Sequence, residues 1–308
     1  MIDVTLLGTS ALLPLPERAL TAAVLTCCGR TLLFDCGEGT QIAARRCGVS
    51  LMTADIIALT HYHGDHILGI PGLLQTMFSM GRTQKLYIVG PRGLEDAMKP
   101  ILQLAGWLSF PVCLMELPPR GVSLAALIPG WPDRARLAAF PTVHRGVSQG
   151  YVFSLGRAGK FLPDKAQALG VPVRQWRTLQ RGEAVTVDGA VIRPEQVMEP
   201  ERKGLSVVFS GDTTRCDALV SASQGADLLI CEATYGETEQ EELAASYGHM
   251  TFLMAAETAA KARAKRLWLA HFSQRIENPA DYLPIAQAVF PPAQCGEDGL
   301  RLALRFEE

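Results

Sequence analysis

The stretch 55-DIIALTHYHGDHILG-69 joins an apolar run of strand length to a dense group of polar side chains. In α/β proteins, ligands collect beyond the carboxyl ends of the strands. The run DIIALT therefore predicts a buried strand that delivers its successors to one edge of a sheet. The polar residues that follow it within six positions are His61, His63, Asp65 and His66.

The residue types in this group are typical of a metal site. Imidazole nitrogen and carboxylate oxygen suit a borderline cation such as zinc. In an extended turn His61 and His63 point the same way and can bind one ion. Asp65 and His66 lie beyond Gly64, which permits a tight turn toward a second ion. Four ligands in six residues are too many for one tetrahedral ion that also needs ligands from elsewhere, so two ions are predicted. A polar surface loop is the alternative.

The other three histidines stand alone, each at a predicted strand end or helix start: His144, His249 and His271. A further acid is needed to bridge two ions, and Asp212 in VVFSGDTT follows an apolar strand. The local sequence fits equally well an Asp212 that caps a helix starting near residue 216. His249 has a similar alternative as the cap of the next helix, and His144 as a buried structural histidine.

Composition and net charge limit the partners and the cellular location that we expect for the chain. The chain has 308 residues, of which 48% are apolar, and a net charge of −2. The whole chain is therefore no electrostatic attractor of nucleic acid, and an anionic substrate needs a local basic patch. No signal peptide or membrane span is evident, so we expect a cytoplasmic protein with no membrane partner. Eight cysteines without a CxxC motif indicate free thiols.

Strand and helix patterns alternate in two halves and predict an α/β fold of layered sheets covered by helices. Predicted strands cover 4–7, 23–27, 31–35, 55–60, 85–89, 112–117, 136–140, 151–155, 205–209, 227–231, 266–270 and 300–306. Predicted helices cover 69–80, 94–104, 251–264 and 283–290.

Residues 156–204 differ from the rest and read as an insertion. They lack a long apolar strand, and residues 157–182 hold six cations against one acid, Asp164. A basic segment of this kind can bind the phosphates of a nucleic acid, or it can be a solvent-exposed surface without a ligand. Trp176 fits either base stacking or packing. The candidate phosphate contacts are Lys160, Lys165, Arg174, Arg177 and Arg181.

Several motifs together resemble the metallo-β-lactamase superfamily and, within it, the ribonuclease Z family. They are LLGTSA, LLFDCGEGTQ (32–41), HYHGDHILGIPGLL, His144 with Gly150 and Tyr151, VVFSGDT, ICEATY with GH, and LAHFSQR. The match runs in order along essentially the whole chain. It implies an αββα sandwich over 1–308 as a single metallo-β-lactamase-type domain, with a protruding basic arm at about 156–204.

The resemblance also implies a role for each site residue. Asp212 would bridge two zinc ions, although manganese or iron can occupy such sites. Asp65 would also accept a proton, His249 oriented by Glu232 would protonate the leaving oxygen, and Asp35 would orient a ligand histidine. The implied ligands are His61, His63 and His144 for one ion and Asp65, His66 and His271 for the other.

The implied reaction is hydrolysis of the phosphodiester 3′ of the tRNA discriminator nucleotide in pre-tRNA, by a hydroxide that two cations generate. It leaves a 3′-hydroxyl on the tRNA and a 5′-phosphate on the trailer. The arm would grip the tRNA elbow, and the family implies a homodimer. Two alternatives stay open: a small-molecule phosphodiesterase or arylsulfatase-like hydrolase, and a non-catalytic binding module.

Four departures from the family pattern bear on substrate handling, while none removes a metal ligand. The arm has LGVPVRQWRTLQRG in place of a Gly-Pro-rich turn. Cys231 replaces the histidine of HEAT, Met250 replaces the serine of GHST, and Ile276 replaces a tyrosine.

Overall fold

Two seven-stranded mixed sheets form the centre of the protein in a computed structural model that describes residues 1–118 and 120–307. A two-stranded hairpin lies outside them. In chain order the strands are β1 (Ile2–Gly8), β2 (Ala22–Cys27), β3 (Arg30–Phe34), β4 (Ala54–Ala58), β5 (Leu86–Gly90), β6 (Val112–Glu116), β7 (Val122–Ser123), β8 (Ala135–Pro141), β9 (Gln149–Arg157), β10 (Val185–Val187), β11 (Ala190–Ile192), β12 (Arg202–Phe209), β13 (Leu228–Glu232), β14 (Leu267–Ala270), β15 (Ala293–Cys295) and β16 (Arg301–Leu304).

Each sheet has a parallel half. The first has the order β16-β1-β2-β3-β4-β5-β6, and β3 to β6 run parallel. The second has the order β15-β14-β13-β12-β9-β8-β7, and β12 to β15 run parallel. Between the sheets lies a buried core, in which the rings of Phe34 and Phe209 stack at 5.1 Å. The carboxyl ends of the parallel strands therefore meet at one edge of the sandwich.

Helices cover the outer face of each sheet. In chain order the α-helices of the described residues are α1 (Thr40–Arg46), α2 (Gly64–Ile67), α3 (Ile70–Ser79), α4 (Leu94–Ala105), α5 (Leu124–Leu127), α6 (Pro163–Ala168), α7 (Val173–Gln180), α8 (Asp217–Ala222), α9 (Glu241–Tyr247), α10 (Phe252–Lys261) and α11 (Leu283–Val289). Buried residues of α1, α3 and α4 share a core with the first sheet. Those of α8, α10 and α11 share another with the second sheet. The predicted αββα sandwich is confirmed.

The insertion is slightly shorter than the sequence predicted. β9 extends to Arg157 and β12 begins at Arg202, because these two residues pair across the sheet. The inserted segment therefore spans 158–201 and holds α6, α7 and the β10–β11 hairpin. Its small apolar core comprises Ala166, Val171, Leu179, Val185, Ile192 and Val197.

Trp176 belongs to the packing of the inserted segment. Its ring lies 5.1 Å from that of Phe161, and its Nε1–H donates to the carbonyl of Val171 at 3.0 Å. Of the two interpretations that the sequence left open, packing is the one these contacts support.

Along the described ranges, none of the helices combines the length and the apolar character that crossing a membrane requires.

Candidate metal centre and active site

The candidate site lies where strands of both sheets end. His61 follows β4 by three residues, and Asp212 follows β12 by three. Glu232 is the last residue of β13, and His271 comes directly after β14. Because β12, β13 and β14 run parallel, the side chains that follow them converge at the same edge.

The first group of ligand-type atoms joins three histidines and one aspartate. His63 Nδ1 lies 3.0 Å from His61 Nε2 and 3.2 Å from His144 Nε2. Asp212 Oδ2 lies 3.7 Å from His61 Nε2 and 3.9 Å from His144 Nε2. Bonds of about 2.0–2.2 Å in a tetrahedral site separate the ligand atoms by about 3.3–3.6 Å. The group therefore has the dimensions of a site for one divalent cation.

The second group adjoins the first and shares Asp212 with it. Asp65 Oδ2 lies 3.5 Å from Nε2 of both His66 and His271. Asp212 Oδ2 is 3.5 Å from His66 Nε2, while its Oδ1 is 3.3 Å from His271 Nε2. One carboxylate thus faces both groups with its two oxygens. The family resemblance implied the same division of the six candidate ligands into two sets.

Three of the histidines have hydrogen-bond partners for the ring nitrogen that faces away from the centre. His66 Nδ1 contacts Asp35 Oδ2 at 2.8 Å, and His144 Nδ1 contacts the Gly248 carbonyl at 3.0 Å. His271 Nδ1 contacts a threonine hydroxyl at 2.9 Å. Nε2 of both His66 and His271 is buried and has no hydrogen-bond partner among the described residues. Outer acceptors that fix the tautomer and unpaired nitrogens that face inward are what a metal-binding histidine requires.

The electrostatics of the buried carboxylates point the same way. Burial raises the pKa of Asp212, but His271, His66 and His61 outweigh burial and hold it well below its ordinary value. The pKa of Asp65 is likewise lowered, because hydrogen bonds with His271 and His66 outweigh burial. Both carboxylates are therefore ionised at neutral pH, although the side chains of Asp65 and Asp212 are only 9% and 4% exposed. Divalent cations would offset this buried negative charge.

The backbone around the centre is strained or closely packed. Asp35 and His271 have left-handed φ angles of 54° and 58°, which non-glycine residues adopt only when the surroundings enforce them. A Cβ on Gly37 would lie 2.0 Å from the Asp65 carbonyl, so glycine is required there. The turn expected at Gly64 takes the form of the short helix α2, which begins at this residue and carries Asp65 and His66.

Glu232 and His249 form a second polar unit beside the centre. His249 Nδ1 lies 3.0 Å from Glu232 Oε1. Glu232 also accepts the backbone N–H groups of Thr213 and Met250 at 2.7 and 3.0 Å. Burial lowers the pKa of His249, but Glu232 outweighs burial and raises it to about 9. His249 is therefore cationic at neutral pH and is held by a fixed carboxylate.

The two capping alternatives are wrong. α8 begins at Asp217 after Cys216, so Asp212 lies outside that helix. α10 is capped by Thr251, whose hydroxyl accepts the N–H of Met254 at 3.2 Å. Asp212 and His249 are therefore free to face the centre.

A cavity of about 1010 Å³ opens above both groups. Its floor includes His63, Asp65, His144, Asp212, His249 and His271, and its walls include Leu12, Leu13, Arg145, Tyr247 and Arg275. Of the departures from the family pattern, Cys231 and Met250 are fully buried in the core beneath α10, and Ile276 lines the cavity with 4% exposure. Of these three residues, Ile276 is the one that lines the cavity.

Three supporting contacts were not foreseen from the sequence. The Thr60 hydroxyl links Asp35 to His61, at 2.9 and 3.0 Å. Thr234 similarly contacts Glu232 and His271 at 2.7 and 2.9 Å. The positions of both threonines next to site residues could have indicated these roles. The N–H of Leu12 donates to Asp65 Oδ2 at 2.9 Å, a contact for which the sequence carries no local signal.

The predicted arm cations lie apart from the centre. All five side chains are exposed, and none lines the cavity. The segment 158–201 holds six cations and six acids, so it has no net charge. The wider predicted arm, 156–204, is basic because it adds Arg157, Arg202 and Lys203 from the ends of β9 and β12. The charges are segregated: five of the cations lie in 158–182, and five of the acids in 183–201.

Comparisons with known proteins agree with this geometry. Two family models match parts of the chain: "Beta-lactamase superfamily domain" over residues 171–272 and "Anti-Pycsar protein Apyc1" over residues 2–98. The chain is 39% identical to ribonuclease Z of Lachnoclostridium phytofermentans, covering 100% of this chain and 99% of that protein. It is also 39% identical to ribonuclease Z of Agathobacter rectalis, over the full length of both.

A solved structure gives the same result. The crystal structure of the short form of human tRNase Z superposes with a TM-score of 0.68 at 28% identity, covering 99% of this chain and 100% of that one. End-to-end identity well above 30% and a shared metallo-β-lactamase fold assign the chain: it belongs to the ribonuclease Z family.

Proposed function

We propose that the protein is a metal-dependent endoribonuclease that removes 3′ trailers from pre-tRNA by hydrolysing the phosphodiester 3′ of the discriminator nucleotide. The observation that carries this function is the pair of ligand groups sharing Asp212 on the floor of an open cavity. A substrate as large as tRNA needs such an open site. The end-to-end identity with proteins named ribonuclease Z supports the choice of RNA.

The ligand groups would hold two divalent cations. His61, His63 and His144 would hold one ion, and Asp65, His66 and His271 the other, with Asp212 between them. Nitrogen and carboxylate ligands in this ratio suit zinc, and manganese or iron can occupy the same set. When bound, the ions supply an activated water and neutralise charge on the phosphate oxygens.

Side chains around the centre would move the protons. Asp65, held by the Leu12 N–H and ionised at neutral pH, would accept a proton from the attacking water. His249, cationic and fixed by Glu232, would donate a proton to the leaving 3′ oxygen. Asp35 would keep His66 in the tautomer that presents Nε2 to the centre.

The segment 158–201 would serve as the RNA-binding arm of a single catalytic domain spanning 1–308. Its phosphate contacts would be Lys160, Lys165, Arg174, Arg177 and Arg181, which are exposed on its helical half. Segregation of the charges lets this half attract phosphate although the whole segment is neutral. A cytoplasmic location remains a prediction, and the eight free cysteines suit a reducing compartment.

A homodimer is the oligomeric state that we propose. Four large apolar side chains on or next to α1, α3 and α4 are more than half exposed: Ile42, Met80, Leu104 and Trp107. The rings of Trp107 and Phe78 lie 5.3 Å apart, which joins α4 to α3. An apolar patch of this kind is typical of a protein interface. Trp107→Glu should shift the sedimentation coefficient to that of a monomer, and an unchanged value would exclude this interface.

The function is tested with metal analysis and mapped cleavage on one pre-tRNA that lacks an encoded CCA. Protein reconstituted with zinc or manganese should cut directly after the discriminator nucleotide and leave a 3′-hydroxyl. Protein treated with chelator should not cut. If loaded protein left the pre-tRNA intact while hydrolysing bis(p-nitrophenyl) phosphate, a small-ester hydrolase would replace the proposal.

A further inference from the structure

An arginine and a tyrosine stack on each other in the wall of the active-site cavity. The Arg145 guanidinium lies 4.5 Å from the centroid of the Tyr247 ring, and both residues line the cavity. Arg145 is exposed, and 41% of the Tyr247 surface is accessible to solvent. A core does not require this pair, since solvent reaches both side chains. Single-stranded RNA is commonly bound by such combinations of a cation and an aromatic ring.

The pair is fixed relative to the reacting centre. Arg145 follows the candidate ligand His144, and Tyr247 precedes Gly248, whose carbonyl contacts His144 Nδ1 at 3.0 Å. Gly248 has a φ of 76°, and a Cβ there would lie 2.9 Å from His144 Nδ1, so only glycine suits this turn. One hydrogen bond thus joins the loop that carries Arg145 to the loop that carries Tyr247.

The charge of Arg145 is available to a ligand. Among the described residues, no carboxylate lies within 4.0 Å of its guanidinium, whereas Arg215 contacts both Glu241 and Glu257. Tyr247 lies two residues before His249, and the rings of His249 and His144 are 4.9 Å apart. The pair therefore occupies the His249 side of the cavity. Leu12, whose N–H contacts Asp65, lines the same cavity.

On the basis of the function proposed above, the geometry of an in-line displacement indicates which nucleotide lies on the His249 side of the cavity. The attacking water and the leaving 3′ oxygen lie on opposite sides of phosphorus. Asp65 accepts the proton of the water and His249 serves the leaving oxygen, so the nucleotide that ends in that oxygen lies toward His249. We propose that Tyr247 stacks on the base of this discriminator nucleotide and that Arg145 contacts its 5′-phosphate.

The proposal is tested by combining Tyr247→Ala with a pre-tRNA whose discriminator nucleotide is abasic. On the intact substrate, Tyr247→Ala should lower kcat/KM about tenfold, the order of effect of losing one stacked base. Wild type should lose a similar factor on the abasic substrate, and Tyr247→Ala should lose nothing further there. Tyr247→Phe, which keeps the ring, should restore activity on the intact substrate.

The role of Arg145 is tested by a separate measurement, the salt dependence of RNA binding. Arg145→Ala should raise KM and reduce the salt dependence of binding by about one phosphate contact. Arg92→Ala removes an exposed arginine outside the cavity and should behave as wild type on both substrates. The stacking proposal is overturned if Tyr247→Ala lowers cleavage of intact and abasic substrates equally, or of neither. Wild type that leaves the intact pre-tRNA uncut would instead refute the function itself.

Discussion

The candidate metal centre and the inserted arm differ in how their charged side chains are buried and distributed. At the centre the ionisable side chains are mostly buried, and the outer ring nitrogens of His66, His144 and His271 have fixed partners. In the arm the charged side chains are exposed, and their sum is zero. The proposed chemistry thus depends on the fixed positions of a few atoms, whereas binding of a polyanion depends on where charges lie. Substitutions should therefore have steep effects at the centre and graded effects in the arm.

The largest effect is expected from Asp212→Asn. This change replaces one oxygen of the carboxylate shared by both ligand groups with an amide nitrogen and removes its negative charge. We expect a loss of metal and a fall in kcat on the order of 10³-fold or more. Metal content by mass spectrometry and single-turnover cleavage measure both changes. Asp217→Asn changes an aspartate whose side chain is 97% exposed and should retain metal and activity. Full metal content in Asp212→Asn would contradict the bridging role.

Glu232→Gln should affect proton donation while sparing the metal. Glu232 raises the pKa of His249 to about 9, so cationic His249 persists up to that pH. A neutral glutamine does not stabilise the imidazolium, so the pKa of His249 falls. We expect kcat to drop about 10²-fold and the alkaline limb of the pH–rate profile to move to lower pH.

The control for Glu232→Gln is metal content, which should stay at the wild-type value. Loss of metal would show that Glu232 supports the ligands instead of His249. An unshifted alkaline limb would show that another group limits the rate at high pH.

The arm should respond in a graded way. The triple variant Lys165→Ala, Arg174→Ala and Arg177→Ala should raise KM for pre-tRNA on the order of tenfold. It should also reduce the log–log salt slope by about 0.7–0.9 for each phosphate that the arm no longer neutralises. Glu195→Gln with Glu199→Gln, in the acidic half of the same segment, should not raise KM. Equal increases in both variants would indicate damage to the arm fold instead of weaker phosphate binding.

The smallest effect is expected from Trp176→Leu, which keeps an apolar side chain and removes the aromatic face. Because Trp176 packs on Phe161 and donates to Val171, we expect the arm to lose about 1–2 kcal/mol of local stability. Amide hydrogen exchange of residues 158–201 measures this loss. KM for pre-tRNA should change less than twofold, and a tenfold rise would restore the base-stacking interpretation.

The sequence predicted the layered fold through its alternating strands and helices, and the family resemblance implied the membership of both candidate ligand groups. Element bounds were less exact: the strand expected over 300–306 spans only Arg301–Leu304. Short helices such as α1 and α9 went unpredicted, since a helix of seven residues carries a weak periodic signal. The net charge of the arm depends on its bounds, since Arg157, Arg202 and Lys203 belong to β9 and β12 and lie outside 158–201.

By itself the sequence determined which atoms can bind metal, since histidine and aspartate in HYHGDH have few other uses at that spacing. It also determined the family, through motifs spread over the whole chain. Only the tertiary structure decided that Thr60 and Thr234 fix the tautomers of His61 and His271, and that Leu12 holds Asp65. It alone placed Arg145 over Tyr247 beside His249. These contacts join residues distant in the chain, and their distances depend on how the two sheets pack.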